Sequence, residues 1–128
     1  MAGLIKARTQ AEIMATNRDA TGALANAAQA AGVSRFILLS SQTAAQPQLS
    51  DYAASKEAGE MAVKAEFKGT LAIIRAPAVF GPGDEATKPF FEFIAKGRLP
   101  VVGGKDWQSR KMAMVYVCLL YTSPSPRD

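Results

Sequence analysis

Residues 35–75 read RFILLSSQTAAQPQLSDYAASKEAGEMAVKAEFKGTLAIIR, and this stretch decides the fold class. Arg35-Phe-Ile-Leu-Leu-Ser-Ser41 is a continuous apolar run without alternation, the pattern of a parallel strand buried on both faces. Residues 42–51 are polar and contain Pro47, so they read as a loop. Tyr52 to Phe67 reads as a helix, capped by Ser50 or Asp51 and followed by Gly69. Thr70-Leu-Ala-Ile-Ile-Arg75 is a second buried strand. Strand, helix and strand in that order make a right-handed βαβ unit, so the two strands lie parallel.

The flanks extend the same alternation. Thr9 is an N-cap with Glu12 three residues on, a capping box. Ile13, Met14, Ala20, Leu24, Ala27, Ala28 and Ala31 recur at a helical period, and Gly32 stands where a helix-ending glycine belongs. The spacing predicts one helix over 10–31. After the second strand, Gly81-Pro82-Gly83-Asp84 is a turn and residues 88–96 a helix ending at Gly97. Leu99–Val102 and Lys111–Val117 read as short strands around Gly103-Gly104. The fold class is α/β, with part of a doubly wound parallel sheet.

The 128 residues suffice for one small domain. The absence of histidine excludes a Ser-His-Asp hydrolase, an HExxH protease and any His-ligated metal site. One cysteine, Cys118, excludes a disulfide framework and a cysteine-based zinc site. No apolar run approaches the roughly 20 residues that span a bilayer, so no membrane partner and a cytoplasmic location are expected. The net charge is +4. All of that excess lies between Lys88 and Lys111, where six basic residues face two acidic ones. No nucleic-acid reader motif accompanies them, and a solvated surface or a wall facing a phosphorylated small molecule accounts for the charge.

Both ends are abrupt. Met1-Ala2-Gly3-Leu4 leads almost directly into a helix, with no strand before it. Residues 118–128, Cys-Leu-Leu-Tyr-Thr-Ser-Pro-Ser-Pro-Arg-Asp, resemble residue for residue the translation of a transposon-end sequencing adapter. On that reading they are a non-native tail, and residues 1–117 are a piece of a longer protein. A natural disordered tail is the alternative.

The chemistry concentrates at strand ends. Tyr52-Ala-Ala-Ser-Lys56 puts a tyrosine and a lysine four apart on one helix face. A tyrosine serves as acid or base at neutral pH when its phenolate is stabilised, and an ammonium one turn away does that electrostatically. The same spacing also suits a plain surface pair. Ser40 and Ser41 end the first strand, where parallel sheets bind ligands. A hydroxyl there holds a substrate oxygen, or satisfies the backbone of the loop it begins. Pro77-Ala78-Val79 follows the second strand, whose end lies beside the serines. Gly81-x-Gly83-x-x-Ala86 formally matches a dinucleotide fingerprint. Pro82 removes a donor from that turn, however, and no strand with a terminal acidic residue follows.

Taken together, these segments resemble the extended short-chain dehydrogenase/reductase superfamily, of the NAD-dependent epimerase/dehydratase type. The matching residues are Asn17-x3-Thr21-x2-Leu24 with Ala27-Ala28, Gly32-Val-Ser-Arg-Phe36, Leu39-Ser-Ser41, and Tyr52-x3-Lys56 with Glu60. They continue through Arg75-x-Pro77-x-Val79-Phe-Gly-Pro-Gly-Asp84 and Val115–Val117, in family order.

The resemblance implies a partial Rossmann-like doubly wound sheet running into the start of a substrate-binding part. It implies Tyr52 as general acid/base, Lys56 as the residue that binds the nicotinamide ribose and supports the tyrosine, and Ser41 (Ser40 as second choice) as the orienter of the substrate oxygen. Pro77, Ala78 and Val79 would line the nicotinamide of NAD or NADP. Ala2-Gly3 resembles the pair that ends the family's fourth strand, beside the cofactor. The implied reaction is hydride transfer at a hydroxyl or carbonyl carbon of a sugar-like small-molecule substrate, with a homodimer of the full-length parent. The family's Gly-rich first turn is missing from this sequence. The other readings are a non-catalytic NAD(P)-binding regulatory module and a truncated chain with no activity of its own.

Overall fold

The computed structural model describes residues 3–98, 105–109 and 111–121. The chain divides into two compact units, Met1–Ala76 and Pro77–Asp128.

The first unit contains α1 (Gln10–Met14), a π turn (Ala15–Asp19), α2 (Ala20–Ala30), β1 (Arg35–Ser41), two short 3-10 turns (Gln42–Ala45 and Pro47–Leu49), α3 (Asp51–Glu66) and β2 (Thr70–Ala76). Thr9 is extended, and its hydroxyl accepts the Glu12 N–H at 3.2 Å. The Glu12 carboxylate reaches back one residue further than a capping box requires, to the Arg8 N–H at 2.9 Å. The helix expected over 10–31 is broken by the π turn, in which the Ala20 N–H bonds the Ala15 carbonyl five residues back. It ends at Gly32, whose φ of 71° is the left-handed conformation that favours glycine there. Ser50, not Asp51, caps α3: its hydroxyl accepts the Ala53 N–H at 3.1 Å. The loop expected over 42–51 carries the two 3-10 turns.

Strands β1 and β2 pair in parallel, in register from Arg35↔Thr70 to Ser41↔Ala76. Alternate residues of each strand meet the helices. Leu38 is buried with Ala25 of α2, Val63 of α3 and Phe67, and Phe36, Leu71, Ile73 and Ala28 pack around them. The Phe36 and Phe67 rings sit 5.4 Å apart, centroid to centroid. Burial on both faces was the expectation, but the helices α2 and α3 cover one face. Ile37, Leu39 and Ile74, on the other, are 67%, 42% and 51% exposed. A continuous apolar run encodes a two-sided strand, and one helical layer covers only half of it.

The second unit contains β3 (Ala78–Phe80), α4 (Lys88–Ala95), a 3-10 turn (Trp107–Ser109), β4 (Met114–Tyr116) and α5 (Val117–Tyr121). β3 and β4 pair in parallel from Ala78↔Met114 to Phe80↔Tyr116. The strand expected over 111–117 is thus only three residues long, and a helix begins at Val117. The two chains approach closely just past the paired strands: a Cβ at Gly81 would collide with the Val117 side chain. The strand expected at Leu99–Val102 and the Gly103-Gly104 turn lie outside the described residues. Phe80 is the hub of this unit, 5.3 Å from the Phe91 ring and 5.4 Å from the Tyr116 ring.

No helix among the described residues is long and apolar enough to cross a membrane.

Candidate active site

The site is built from the carboxyl ends of β1 and β2 and the first turns of α3. Because α3 returns antiparallel to β1, its early residues stand at the level of the strand's last ones. Two bonds fix that level. The Lys56 ammonium donates to the Leu39 carbonyl at 3.2 Å, and the Ser40 hydroxyl donates to the buried Glu60 carboxylate at 2.5 Å. Tyr52 lies one turn before Lys56, about 6 Å further along the axis towards the carboxyl end of β1. Tyr52 and Lys56 are both half-buried.

The two serines have separate tasks. Ser40 is 5% exposed, and its hydroxyl donates to the Glu60 carboxylate. Ser41 is half-buried at the mouth of the strand. Its hydroxyl shares a 2.9 Å bond with the Thr43 hydroxyl and accepts the Thr43 N–H at 3.3 Å, capping the first 3-10 turn. Its register partner is Ala76, the residue before Pro77. The second strand therefore ends beside the serines, as its sequence leads one to expect.

Burial pushes the Lys56 ammonium below the ordinary lysine range, and the Glu60 charge one turn on partly offsets this. Glu60 is itself held below the usual carboxylate range, chiefly by the Arg75 guanidinium, which clamps both its oxygens at 2.9 and 2.7 Å.

Asn17 is the feature that reading the sequence for chemistry passed over. It is buried inside the π turn. Its amide donates to the Leu4 carbonyl at 2.8 Å and to the Ser55 hydroxyl at 2.9 Å, and its oxygen accepts the Leu4 N–H at 3.1 Å. Ser55 passes the link on to the Tyr52 carbonyl at 2.8 Å. The chain at Gly3-Leu4 is thereby tied to the first turn of α3. Ala2 lies outside the described residues; Gly3 lies beside the Asn17 amide oxygen. The signal available was an asparagine on the apolar face of a helix, where a polar side chain needs a built partner.

In the second unit, Ala78 is exposed and Val79 half-buried on β3. The Gly81–Ala86 match to a phosphate-binding turn is spent internally. Gly83 has φ 83°. The Asp84 carboxylate takes the Ala86 and Thr87 N–H groups at 2.9 and 3.2 Å and also the Thr87 hydroxyl. Donors that would cradle a phosphate are thus already satisfied by an anion of the chain itself. A cavity of about 720 Å³ lies between this turn and α4, with Phe80, Phe91 and Tyr116 among its walls.

The sequence model of the NAD dependent epimerase/dehydratase family matches residues 5–107. The chain belongs to this family. Among curated proteins, the ceramide reductase of Caulobacter vibrioides is 48% identical over 118 residues, covering 91% of this chain and 35% of that protein. The uncharacterized protein y4nL of Sinorhizobium fredii is 31% identical, covering 80% of this chain and 35% of its own length. The chain therefore spans about a third of the curated relatives it matches. Among solved structures, Bordetella bronchiseptica WbmH in complex with NAD+ superimposes with a TM-score of 0.65 at 21% identity, over 77% of this chain and 38% of WbmH. WbmG of the same organism, in complex with NAD and UDP, gives 0.60 at 19% identity, over 91% of this chain and 48% of WbmG. At such identities the likeness shows the fold, a partial Rossmann-like parallel sheet.

The family is NAD-dependent, and the donor set in this chain suits that group. The Lys56 ammonium gives one N–H to the Leu39 carbonyl, and two further N–H groups remain on it.

Proposed function

We propose that the full-length protein is an NAD(P)-dependent oxidoreductase that interconverts a secondary alcohol and a ketone, with Tyr52 as the general acid/base. The observation that carries this reading is the pair of bonds that fixes α3 against the end of β1, Lys56 to Leu39 and Ser40 to Glu60. They support a placement of Tyr52, Lys56 and Ser41 around one point beyond the sheet. The bound dinucleotide would donate or accept the hydride. Lys56 would hold its ribose hydroxyls, and Pro77, Ala78 and Val79 would line its nicotinamide. The Ser41 hydroxyl donates to the substrate oxygen and orients it. The Tyr52 hydroxyl supplies a proton to that oxygen in reduction and becomes a phenolate, which takes the alcohol proton in oxidation; the Lys56 ammonium stabilises that phenolate.

For the substrate, the 48% identity to a ceramide reductase favours a ceramide-like lipid bearing a ketone. Within the second unit, the aromatic side of the cavity made by Phe80, Phe91 and Tyr116 suits a hydrocarbon chain, and Asp84, Glu85, Lys88 and Glu92 give its remainder a polar character. A sugar-like substrate is the second reading, favoured by the UDP found with WbmG. The test uses the full-length protein with NADH or NADPH and two substrates, a keto-ceramide and a UDP-sugar. Turnover of the keto-ceramide alone is expected; turnover of the UDP-sugar alone would exchange the two readings. Tyr52→Phe is expected to lower kcat about 10²- to 10⁴-fold with the melting temperature unchanged. Undiminished turnover in that variant sinks the assignment of Tyr52.

A further inference from the structure

The charged pair beneath the site is unlike an ordinary surface salt bridge. The Glu60 side chain is 3% exposed and the Arg75 side chain 43% exposed, so the anion is buried and the cation reaches water. Glu60 makes three bonds, one to Ser40 of β1 and two to Arg75 of β2. Ser40 and Arg75 are register partners, and the next pair along the ladder is Ser41↔Ala76. One carboxylate on α3 therefore grips both strands one residue before they end. It also lies one turn beyond Lys56 and two beyond Tyr52, on the same stripe of the helix.

A purely structural need would be met more cheaply by an apolar residue. Burying a carboxylate costs free energy that even a good partner barely repays. What the ion pair adds is direction. Its bidentate geometry fixes the distance and rotation of α3 against the strand ends. The negative charge also sits where it opposes the loss of charge at Lys56.

We propose that Glu60 and Arg75 are positioning residues of the active site, holding Lys56 charged and Tyr52 in place opposite Ser41 by clamping α3 to the ends of both strands. This rests on the assignment of Tyr52 and Lys56 made above. The charged groups that interact with Glu60 are Arg75 from β2 and Lys56 and Lys64 from its own helix; Arg75 also feels Glu57. The carboxyl end of β1 brings the neutral Ser40 hydroxyl and Leu39 carbonyl, its one charged residue, Arg35, standing at the opposite end, and residues 42–49 carry no charge. From the π turn come Arg18 and Asp19, which pair with each other at 2.6 Å.

The experiment uses the full-length protein and reads two quantities. The first is kcat against pH for wild type, Tyr52→Phe, Glu60→Gln and Glu60→Asp. The second, independent of turnover and of bound cofactor, is the pH dependence of Lys56 acetylation by acetic anhydride, which releases acetate, followed by mass spectrometry. Glu60→Gln is expected to lower kcat at least tenfold and to move both the alkaline limb of the profile and the Lys56 titration down by about 0.5 to 1 pH unit. Glu60→Asp keeps the charge at the wrong reach, so kcat falls while the Lys56 titration stays within about 0.3 unit of wild type.

If Tyr52→Phe abolishes turnover but Glu60→Gln leaves kcat and the Lys56 titration unchanged, the catalytic assignment stands and the positioning role is overturned. If Tyr52→Phe turns over like wild type, both fall. Should Glu60→Gln fail to fold, Ser40→Ala removes one arm of the clamp without stranding a charge. A several-fold loss of kcat at unchanged melting temperature then supports the proposal, and unchanged kcat overturns it.

Discussion

Glu60 ties the chemistry of the site to the pH dependence of folding. Its carboxyl is held below the usual carboxylate range, first by the hydrogen bonds from Arg75 and then by Ser40, against the opposing cost of burial. An acid with a depressed folded pKa contributes stability that is fully present above its unfolded value, near 4.3 for glutamate. That contribution is lost as pH falls through the folded value. Urea midpoints of the full-length protein are therefore expected to be flat from about pH 7 to 5 and to fall below about pH 4.3. Glu60→Gln is expected to make that fall shallower. Asp84 is also held low, by Thr87 and the Ala86 N–H, so a residual slope remains in the variant. An equally steep fall in Glu60→Gln would show that its ionisation is not linked to folding.

At the scale of elements, the seat of α3 on the π turn depends on one missing side chain. A Cβ on Gly59 would drive into the backbone carbonyl of Asn17, and a carbonyl inside a helical turn cannot swing aside. Gly59→Ala is expected to destabilise the protein by about 1–3 kcal/mol despite the better helix propensity of alanine. Because the displaced turn holds Asn17, the link from Leu4 through Ser55 to Tyr52 should loosen with it. Gly22→Ala is the control, since its Cβ would meet only the Ala62 methyl at 3.2 Å. Equal urea midpoints for Gly59→Ala and wild type would refute the close-packing account. The same elements show what could be read from sequence. Helices α3 and α4 and strands β1 and β2 are encoded by local runs with caps and glycines at their ends, and they stand within a residue or two of where those signals put them. The π turn left no such trace, because one extra residue in a helix barely disturbs an alanine-rich apolar face. β3 was invisible because three residues after a proline carry no periodicity, and their strand state comes from pairing with distant β4. Lys111–Val117 reads as one strand because apolar character alone does not separate strand from helix. At the proposed site, Tyr52 and Lys56 were legible as a spacing and Ser41 as a strand end. The division of labour between Ser40 and Ser41 was not, since it depends on which face of β1 meets Glu60.

For the molecule as a whole, the decisive fact is the uncovered side of the β1–β2 sheet. Ile37 and Leu39 of β1 stand outward together with Ile74 of β2, and Leu39 and Ile74 are register partners. Apolar side chains side by side on a flat surface, with strand edges next to them, form a surface that other chains can cover or pair with. The 128-residue chain by itself is therefore expected to self-associate. Sedimentation at rising concentration should show species larger than a monomer, and the melting temperature should depend on concentration. Ile37→Lys with Ile74→Glu places opposite charges on that outward face while leaving Leu38, Val63 and Phe67 untouched. These two changes are expected to shift the chain toward monomer without lowering its melting temperature by more than a few degrees, because neither side chain belongs to the buried cluster. A wild-type chain that sediments as a monomer at every concentration, with a cooperative and concentration-independent melt, would mean that the exposed isoleucines and leucine cost nothing in solution. The one-sided helical layer would then be sufficient to hold this sheet, and the apolar run of β1 would owe its character to strand propensity rather than to a second layer of cover.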